Sequence, residues 1–296
     1  MQIDTAIFKF TKPPSSLESN AINRHARWLT WSDEAVELLA MFCGEAQRLP
    51  NPNVISLPGG SEFSKSFSIP LDALQQLKCF SGLVQMASTI RRSTPGEGIF
   101  LFRDLLNKEF RGEQLGKFLT AMREVMVFLT GELHEALYAP LSWVGPKADE
   151  FPLHADLYAP NLLWNIFDRV PRDGSGAARL LPVPVFKKLL KQKRVPMRDR
   201  TVLLSCLNDN SVEDRFRIFY ELLHVNYASW TVRLNSGMKE HQFLVPLGYG
   251  QGYLINDRRW LHGRNAPTGG VTTKRVHRLV FFSADNRNEM SPNRQD

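Results

Sequence analysis

Apolar positions in the first 140 residues recur mainly at helical spacing. The segments 31–49, 70–92 and 112–137 carry apolar residues three or four positions apart, which is typical of amphipathic helices. Ser32 stands where the first segment begins, with acidic residues directly after it, so we expect Ser32 to cap that helix. Between the second and third segments, GEGIFLFRDL (96–105) predicts a short buried strand.

After residue 141 the pattern changes to short runs of apolar residues, many of them branched or aromatic, with turn clusters such as 172–176 and 266–270 between them. Many short strands divided by Gly, Pro and Asn turns are typical of a jelly roll or a barrel. The predicted strands cover 162–168, 177–183, 201–207, 230–234, 243–247, 252–257 and 275–283.

No linker separates the helical part from the strand-rich part, which predicts a single domain over 1–296. We expect a mainly β fold with a helical buttress (α+β), whose β part is a double-stranded β-helix, the cupin-like jelly roll. In this division 1–95 and 112–140 form a mainly helical flank, 96–105 and 141–285 form the jelly-roll core, and 286–296 is a tail.

Composition places the chain among soluble globular proteins, with 43% apolar and 23% charged residues. It contains no run of about 18 apolar residues, and its N-terminus lacks the basic-then-apolar order of a secretory signal. Cys43, Cys79 and Cys206 are widely spaced and odd in number, which fits free thiols. We therefore expect a cytoplasmic protein without a membrane partner; its oligomeric state is not determined by these features.

The formal net charge of +7 is concentrated in one segment. Residues 187–200, KKLLKQKRVPMRDR, hold seven basic residues and one Asp, a net of +6. Three interpretations stay open: a solvated helix and loop, an element that attracts anionic substrates, or a patch for a polyanion. The pattern predicts a short helix, FKKLLKQK (186–193), followed by a loop that Pro196 keeps from continuing as helix. We expect this partly mobile element near the open end of the sandwich, where loops commonly cover a site.

The stretch EFPLHADLYAP (150–160) places His154 and Asp156 two residues apart in an apolar segment. In a strand these side chains would share a face, where burying both is costly without a purpose. His262 follows the predicted strand 252–257 and a turn, and is the candidate third ligand. Two histidines and one carboxylate form the ligand set of non-haem Fe(II) sites, whereas a structural zinc site takes four ligands, commonly including Cys.

The sequence around these residues resembles the 2-oxoglutarate-dependent Fe(II) oxygenases of the taurine dioxygenase, γ-butyrobetaine hydroxylase and clavaminate synthase-like superfamily. GQGYLINDRRWLHGRNA (250–266) resembles that family's strand, turn and distal metal histidine, and PRDGSGAARLLPVPVF (171–186) resembles the Gly-rich turn and strand after the His-X-Asp pair. The resemblance extends over about residues 70–285. It departs at Ala178, where family members often carry a Thr that binds 2-oxoglutarate, and at Leu157 and Tyr158, where a small residue is common.

The resemblance implies that His154, Asp156 and His262 bind Fe(II) as the catalytic metal, with 2-oxoglutarate as cosubstrate and O2 as oxidant. The family also places an arginine about a dozen residues beyond the distal histidine, where it binds the far carboxylate of 2-oxoglutarate. Arg275 lies thirteen residues beyond His262. Strand alternation puts Arg275 and Arg278 on opposite faces, so one of them points inward. Spacing favours Arg275, and Arg278 is the alternative.

The implied reaction is oxidation, most simply hydroxylation, of a C–H bond in a small polar metabolite or a natural-product or amino-acid intermediate, with succinate and CO2 as coproducts. Tyr158, Trp164 and Arg264 are candidate substrate-binding residues. Two alternatives stay open: an oxidative demethylase of nucleic acid, although no aromatic residues interleave the basic segment, and a catalytically weak member that binds ligand.

Overall fold

The chain forms alternating layers of helices and sheets. A computed structural model describes residues 5–56, 65–93, 95–131, 136–144, 150–156, 162–170, 175–208, 214–226, 228–266 and 273–281. The strands are β1 (Phe8–Thr11), β2 (Ala26–Trp31), β3 (Asn53–Ser56), β4 (Lys65–Ser68), β5 (Ile99–Phe102), β6 (Ala136–Val144), β7 (Phe151–His154), β8 (Leu162–Arg169), β9 (Ala178–Pro182), β10 (Phe243–Val245), β11 (Gly252–Asn256), β12 (Trp260–Arg264) and β13 (Thr273–Phe281). The α-helices are α1 (Asp33–Glu45), α2 (Leu71–Gln75), α3 (Phe80–Arg92), α4 (Glu113–Thr130), α5 (Val183–Gln192), α6 (Met197–Asn208), α7 (Arg215–Tyr220) and α8 (Ser229–His241).

Two sheets position the site. The large sheet has seven strands in the order β1-β2-β5-β11-β8-β13-β6, and the small sheet has four in the order β10-β9-β12-β7. Their neighbouring strands are antiparallel, except that β2 and β5 are parallel. Strands β3 and β4 form a separate antiparallel pair.

Three apolar cores define the order of the layers. One core joins the large sheet to α1, α3 and α4, a second lies between the large and small sheets, and a third joins the small sheet to α5, α6 and α8. The large sheet is therefore covered on both faces, by helices on one and by the small sheet on the other. Its strand side chains alternate between these two environments.

Strand β13 shows the alternation that later decides the site. Leu279 and Phe281 belong to the core under the helices, whereas Val276 and Val280 belong to the core between the sheets. Arg278 is two residues from both Val276 and Val280, so its side chain lies on their face of the strand and points toward the small sheet. We call the side of the large sheet that faces the small sheet its front, and the side that faces α1, α3 and α4 its back.

The N-terminal helices follow the predicted pattern, with two corrections. Ser32 caps α1 as predicted, its side chain accepting a hydrogen bond from the Ala35 amide at 3.1 Å. The segment 70–92 forms two helices, α2 and α3, and the side chain of Glu45 accepts hydrogen bonds from the Lys78 and Cys79 amides between them. The strand predicted within 96–105 is confirmed as β5, but the first 95 residues also supply β1 and β2 to the large sheet, so the chain is mixed α/β with large sheets.

Two predicted strands are wrong. The segment 201–207 lies in α6 and 230–234 lies in α8. In α6 the buried residues are Leu203, Cys206 and Leu207, a three-and-four spacing that places one stripe against the outer core. A short apolar run contains too few positions to distinguish this stripe from a buried strand. The other predicted strands correspond to β8, β9, β10, β11 and β13.

The basic segment forms structure on both sides of Pro196. Helix α5 buries Phe186, Leu189 and Leu190 in the core outside the small sheet. The predicted short helix and the break after it are confirmed, because α5 ends at Gln192 and α6 begins only at Met197. The predicted loop is limited to 193–196, since Pro196 directly precedes α6, a position that proline tolerates well. The helical part of the segment is therefore packed on the outer layer. In the described ranges, no helix is both long and apolar enough to cross a membrane.

Candidate metal centre

Two neighbouring strands of the small sheet deliver the predicted histidines. His154 ends β7 and His262 is the middle residue of β12, and the two are direct partners in the antiparallel register. Gly263 lets the strands approach, since a Cβ there would lie 2.6 Å from the Phe151 carbonyl oxygen and 2.8 Å from that of Pro152. Asp156 follows β7 by two residues, so its side chain returns to the face that carries His154.

The three side chains converge in the interior between the sheets. One Asp156 oxygen, Oδ1, lies 3.2 Å from His154 Nε2 and 3.6 Å from His262 Nε2. The ligand atoms of the group all lie within 4.8 Å of one another. The exposed fractions are 0% for His154 and 2% for both Asp156 and His262. In the described part of the chain, this is the group of His, Cys, Asp and Glu residues that could hold a metal ion.

The hydrogen bonds of His154 favour a cation between its ring and Asp156. Its Nδ1–H donates to the Pro152 carbonyl oxygen at 2.8 Å, which leaves Nε2 as an acceptor in the neutral ring. Burial, followed by the charge of His262, lowers the pKa of His154, although Asp156 opposes this, so the neutral ring is favoured. Two acceptors, His154 Nε2 and Asp156 Oδ1, then face each other at 3.2 Å, an arrangement that a metal ion between them stabilises.

His262 supplies the second indication. Both of its ring nitrogens are buried, and neither has a hydrogen-bond partner among the described residues, a costly state for polar atoms. Nε2 points toward Asp156, and Nδ1 lies 3.4 Å from Asp257 Oδ1. Two ligands bound at about 2.1 Å and at right angles are about 3 Å apart, close to the nitrogen–oxygen distances found here. The mixed nitrogen and oxygen donor set fits Fe(II).

The carboxylate of Asp156 stays ionised. Burial acts to raise its pKa, but Arg278, followed by His262 and His154, holds the pKa well below its usual range. Arg278 Nη1 donates to Asp156 Oδ2 at 2.8 Å, opposite the oxygen that faces the histidines. Burial also acts to lower the pKa of His262, yet Asp156 and Asp257 outweigh it and the pKa is raised. The site thus keeps an ionised carboxylate oxygen facing both histidines.

A small cleft adjoins the metal group between the two sheets. Its volume is about 30 Å³, which is enough room for water. Two guanidinium groups line it, those of Arg264 on β12 and Arg278 on β13, together with the amide of Asn165 on β8. The remaining walls are mainly apolar: Phe151, Phe167, Ala178, Tyr253 and Val276. The cleft therefore combines two buried cations with apolar walls beside His262.

Arg275 lies on the other side of the large sheet. Its Nε donates to both oxygens of Asp168, at 2.8 and 2.7 Å, and Nη2 donates to Asp168 as well. The sequence favoured Arg275 as the inward residue, but the structure places Arg278 on the front with Asp156. Both residues obey strand alternation, and a register shift separates Arg275 from Val276 in the pairing with β8.

The candidate substrate-binding residues have different positions. Arg264 lines the cleft. Trp164 faces the back of the large sheet, where its ring packs edge-on against Trp31 at 6.0 Å, so it lies away from the metal group. Tyr158 lies outside the described residues. Ala178, which stands where the family often carries Thr, lines the cleft.

Sequence reasoning missed Asn165, Asp257 and an aromatic group near His154. The ring of His154 lies 4.4 Å from Phe151, 5.9 Å from Phe216 and 6.5 Å from Tyr220, between centroids. A polar residue inside the apolar run LLWNIFD was the available signal for Asn165. Phe216 and Tyr220 belong to α7, some sixty residues from His154 in sequence, and only packing brings them together.

Comparisons with known proteins give similar solved structures and nothing else. No model of a protein family matches the chain, and no curated protein matches it. An asparagine oxygenase in complex with Fe(II), 2S,3S-3-hydroxyasparagine and succinate has a TM-score of 0.47 and 13% identity, covering 90% of this chain and 97% of its own. The non-haem iron oxygenase OrfP in complex with Fe has a TM-score of 0.42 and 12% identity, covering 90% and 97%. The PvcB protein from Pseudomonas aeruginosa has a TM-score of 0.41 and 12% identity, covering 97% and 95%.

Proposed function

We propose that this chain is a non-haem Fe(II)/2-oxoglutarate-dependent oxygenase that hydroxylates a C–H bond of a small polar metabolite, such as an amino acid or a natural-product intermediate. The observation that carries the proposal is the buried group His154, Asp156 and His262. Its ligand atoms converge, and within the described ranges neither His262 nitrogen forms a hydrogen bond. Such a group is costly to bury unless it binds a cation.

The strand order supports a double-stranded β-helix as the scaffold. Strands β6, β8, β11 and β13 lie together in the large sheet, and β7, β9, β10 and β12 form the small one. From β6 to β13 successive strands alternate between the two sheets, except that β9 and β10 both lie in the small one, and the pairing is antiparallel throughout these eight strands. This alternation is the pattern of a jelly roll.

His154 Nε2, His262 Nε2 and Asp156 Oδ1 would hold the iron. With 2-oxoglutarate and O2, iron bound there would supply oxidation of the substrate C–H bond, with succinate and CO2 as coproducts. The protein's own part is to direct Nε2 of both histidines toward Asp156, keep Asp156 ionised, and exclude water. The burial of all three side chains provides the last of these conditions.

Charge in the cleft supports 2-oxoglutarate as the cosubstrate. Among the described residues, the buried charges of Asp156, Asp257, Arg264 and Arg278 cancel. Fe(II) would add two positive charges, and a dianion restores the balance. We assign the grip on the cosubstrate carboxylates to Arg278 and Arg264, because a guanidinium forms bidentate, charge-assisted hydrogen bonds with a carboxylate. The cleft is small, so Arg278 would exchange part of its contact with Asp156 for the cosubstrate.

The aromatic residues beside His154 bear on the substrate. Phe216 and Tyr220 stack on each other at 5.6 Å and are half-buried, so they offer ring faces next to a metal-ligating histidine. Flat or apolar portions of a small molecule pack well against such faces. We therefore expect amino acids with aromatic side chains, or intermediates derived from them, to be accepted before small aliphatic ones.

The test is anaerobic addition of Fe(II) and 2-oxoglutarate to the purified chain. A visible Fe(II)–2-oxoglutarate absorption band should appear, and the true substrate should perturb it and accelerate succinate formation. The panel should contain aromatic and aliphatic amino acids and nucleotides, because a response to methylated nucleotides would favour the demethylase alternative. A chain that binds no metal and shows no band would refute the proposal.

A further inference from the structure

Asp257 is a buried carboxylate outside the three predicted ligands. It follows β11 directly, at the turn into β12, and is 2% exposed. A carboxylate is seldom buried to this degree without a specific partner.

One oxygen of Asp257 lies close to two different ligands. Oδ1 accepts a hydrogen bond from the backbone amide of Asp156 at 3.1 Å and lies 3.4 Å from His262 Nδ1. The second distance exceeds an ordinary hydrogen bond by a few tenths of an ångström. The same atom therefore links the segment after β7 to β12, across about a hundred residues of chain.

The two histidines differ in what orients them. His154 has a backbone partner, because its Nδ1–H donates to the Pro152 carbonyl. For His262, Asp257 is the group next to Nδ1 among the described contacts. A ring that binds a metal through Nε2 must carry its proton on Nδ1, and a carboxylate acceptor there fixes both tautomer and orientation.

The turn has other stabilising contacts. The side chain of Asn256 accepts from the Arg258 amide at 2.9 Å, and the Asn256 carbonyl accepts from the Arg259 amide at 2.9 Å. The Arg259 carbonyl in turn accepts from Val183 at 2.8 Å. These bonds close the β11–β12 connection without a carboxylate at position 257.

We propose that Asp257 is a positioning residue for the metal site. Asp257 accepts a hydrogen bond from Nδ1–H of His262, so that Nε2 faces the ion, and it also anchors the backbone of Asp156. This inference rests on the proposed metal site and adds to it a group that touches neither metal nor substrate. Groups in this position commonly change metal affinity by about 10- to 100-fold.

The experiment compares Asp257→Asn with Asp168→Asn. Asp168 is the matched control, because it is also a buried carboxylate that accepts from a histidine, His277 Nε2, at 2.8 Å, but on the back of the large sheet. Asn at 257 keeps the shape and the oxygen that accepts from Asp156, and removes the charge beside His262. Metal affinity is measured anaerobically by titration with Co(II), whose visible spectrum reports ligand geometry, and with Fe(II); the melting temperature is measured without metal.

Asp257→Asn should weaken Co(II) and Fe(II) binding about 10- to 100-fold, alter the Co(II) spectrum, and leave the metal-free melting temperature near that of the wild type. Asp168→Asn should lower the metal-free melting temperature and leave the affinity within about twofold of the wild type. Wild-type affinity and spectrum in Asp257→Asn would overturn the inference, as would a metal-free melting temperature lowered as far as in Asp168→Asn. A wild-type chain that binds neither ion would instead refute the proposed function.

Discussion

The two sides of the large sheet carry clusters built from the same residue types. On the front, Arg278 contacts Asp156, which lies between His154 and His262. On the back, Arg275 and His277 both contact Asp168. The two arginines are three residues apart on β13, yet their clusters differ in how completely the polar atoms are paired.

The back cluster is a closed chain of hydrogen bonds. Asp168 accepts from Arg275 and from His277 Nε2, and Tyr138 donates its hydroxyl to His277 Nδ1 at 2.7 Å. Every nitrogen of the His277 ring thus has a partner. On the front, neither nitrogen of His262 forms a hydrogen bond within the part of the chain that the structure describes. A cluster whose polar atoms satisfy one another is structural, whereas one that leaves buried donors and acceptors unpaired indicates a ligand.

Removing each cluster's carboxylate gives the largest expected contrast. Asp156→Ala should abolish Fe(II) binding and succinate formation, because two histidines lack the charge and the third ligand that hold the ion. Asp168→Ala should instead keep metal binding and lower the free energy of unfolding by about 3 kcal/mol, since it leaves buried partners unpaired. Metal titration and chemical denaturation of both variants measure this. Succinate formation at the wild-type rate by Asp156→Ala would refute the triad.

The arginines of β13 provide the next test. Arg278→Ala should raise the 2-oxoglutarate concentration needed for half-maximal succinate formation at least thirtyfold, since deleting one partner of a buried charged pair costs about 2–5 kcal/mol. Arg278→Lys should require a concentration between those of the wild type and Arg278→Ala, because lysine keeps the charge but cannot form the bidentate hydrogen bonds. Arg275→Ala should change this value less than threefold. The opposite ranking would return Arg275 to the role that its spacing from His262 suggested.

His224 lies outside the small sheet, next to the front cluster, and should make the free energy of unfolding depend on pH. Its Nε2–H donates to the Leu153 carbonyl at 2.8 Å, next to His154. Burial lowers its pKa to about 4, below the value of about 6.5 in the unfolded chain. The unfolded state therefore binds more protons between these values, and stability is lost as pH falls from about 6.5 toward 4. The loss should reach about 2 kcal/mol by pH 4.5.

The variant His224→Gln keeps a donor for Leu153 but does not titrate. Denaturation from pH 7.5 to 4.5 should give a shallower decline for His224→Gln than for the wild type, while the front and back clusters are unchanged. Parallel declines would show that other groups set the pH dependence.

The basic helix α5 should have the smallest effect, because it packs on the outer layer and contributes through charge alone. Replacing Lys187, Lys188, Lys191 and Lys193 with Gln should slow capture of an anionic substrate or cosubstrate a few-fold at low salt. The effect should fade as the screening length falls from about 30 Å at 0.01 M to about 8 Å at 0.15 M salt. Rates at saturating substrate should stay within twofold. A deficit that persists at high salt would indicate direct contacts.

Much of the site follows from local sequence. The spacing of His154 and Asp156 placed both side chains on one face, and the resemblance of the segment 250–266 to a known family added His262 as the third candidate ligand. Alternation also separated Arg275 from Arg278 correctly. These features depend on the period of a strand, which is local. Ser32 was identifiable for the same reason, since a helix cap involves residues three apart.

Tertiary structure decided the rest. Strand alternation places Arg275 and Arg278 on opposite faces of β13, but it does not determine which face meets the small sheet. The packing of the apolar neighbours determines this: Leu279 and Phe281 lie under the helices, and Val276 and Val280 lie between the sheets. The segments 201–207 and 230–234 became helices because their apolar residues had a core outside the small sheet to cover. Asp257 meets Asp156 and His262 only where β7 and β12 pair. Contacts between residues a hundred positions apart produce no periodic pattern in the sequence. Such residues become neighbours only when the sheets pack together.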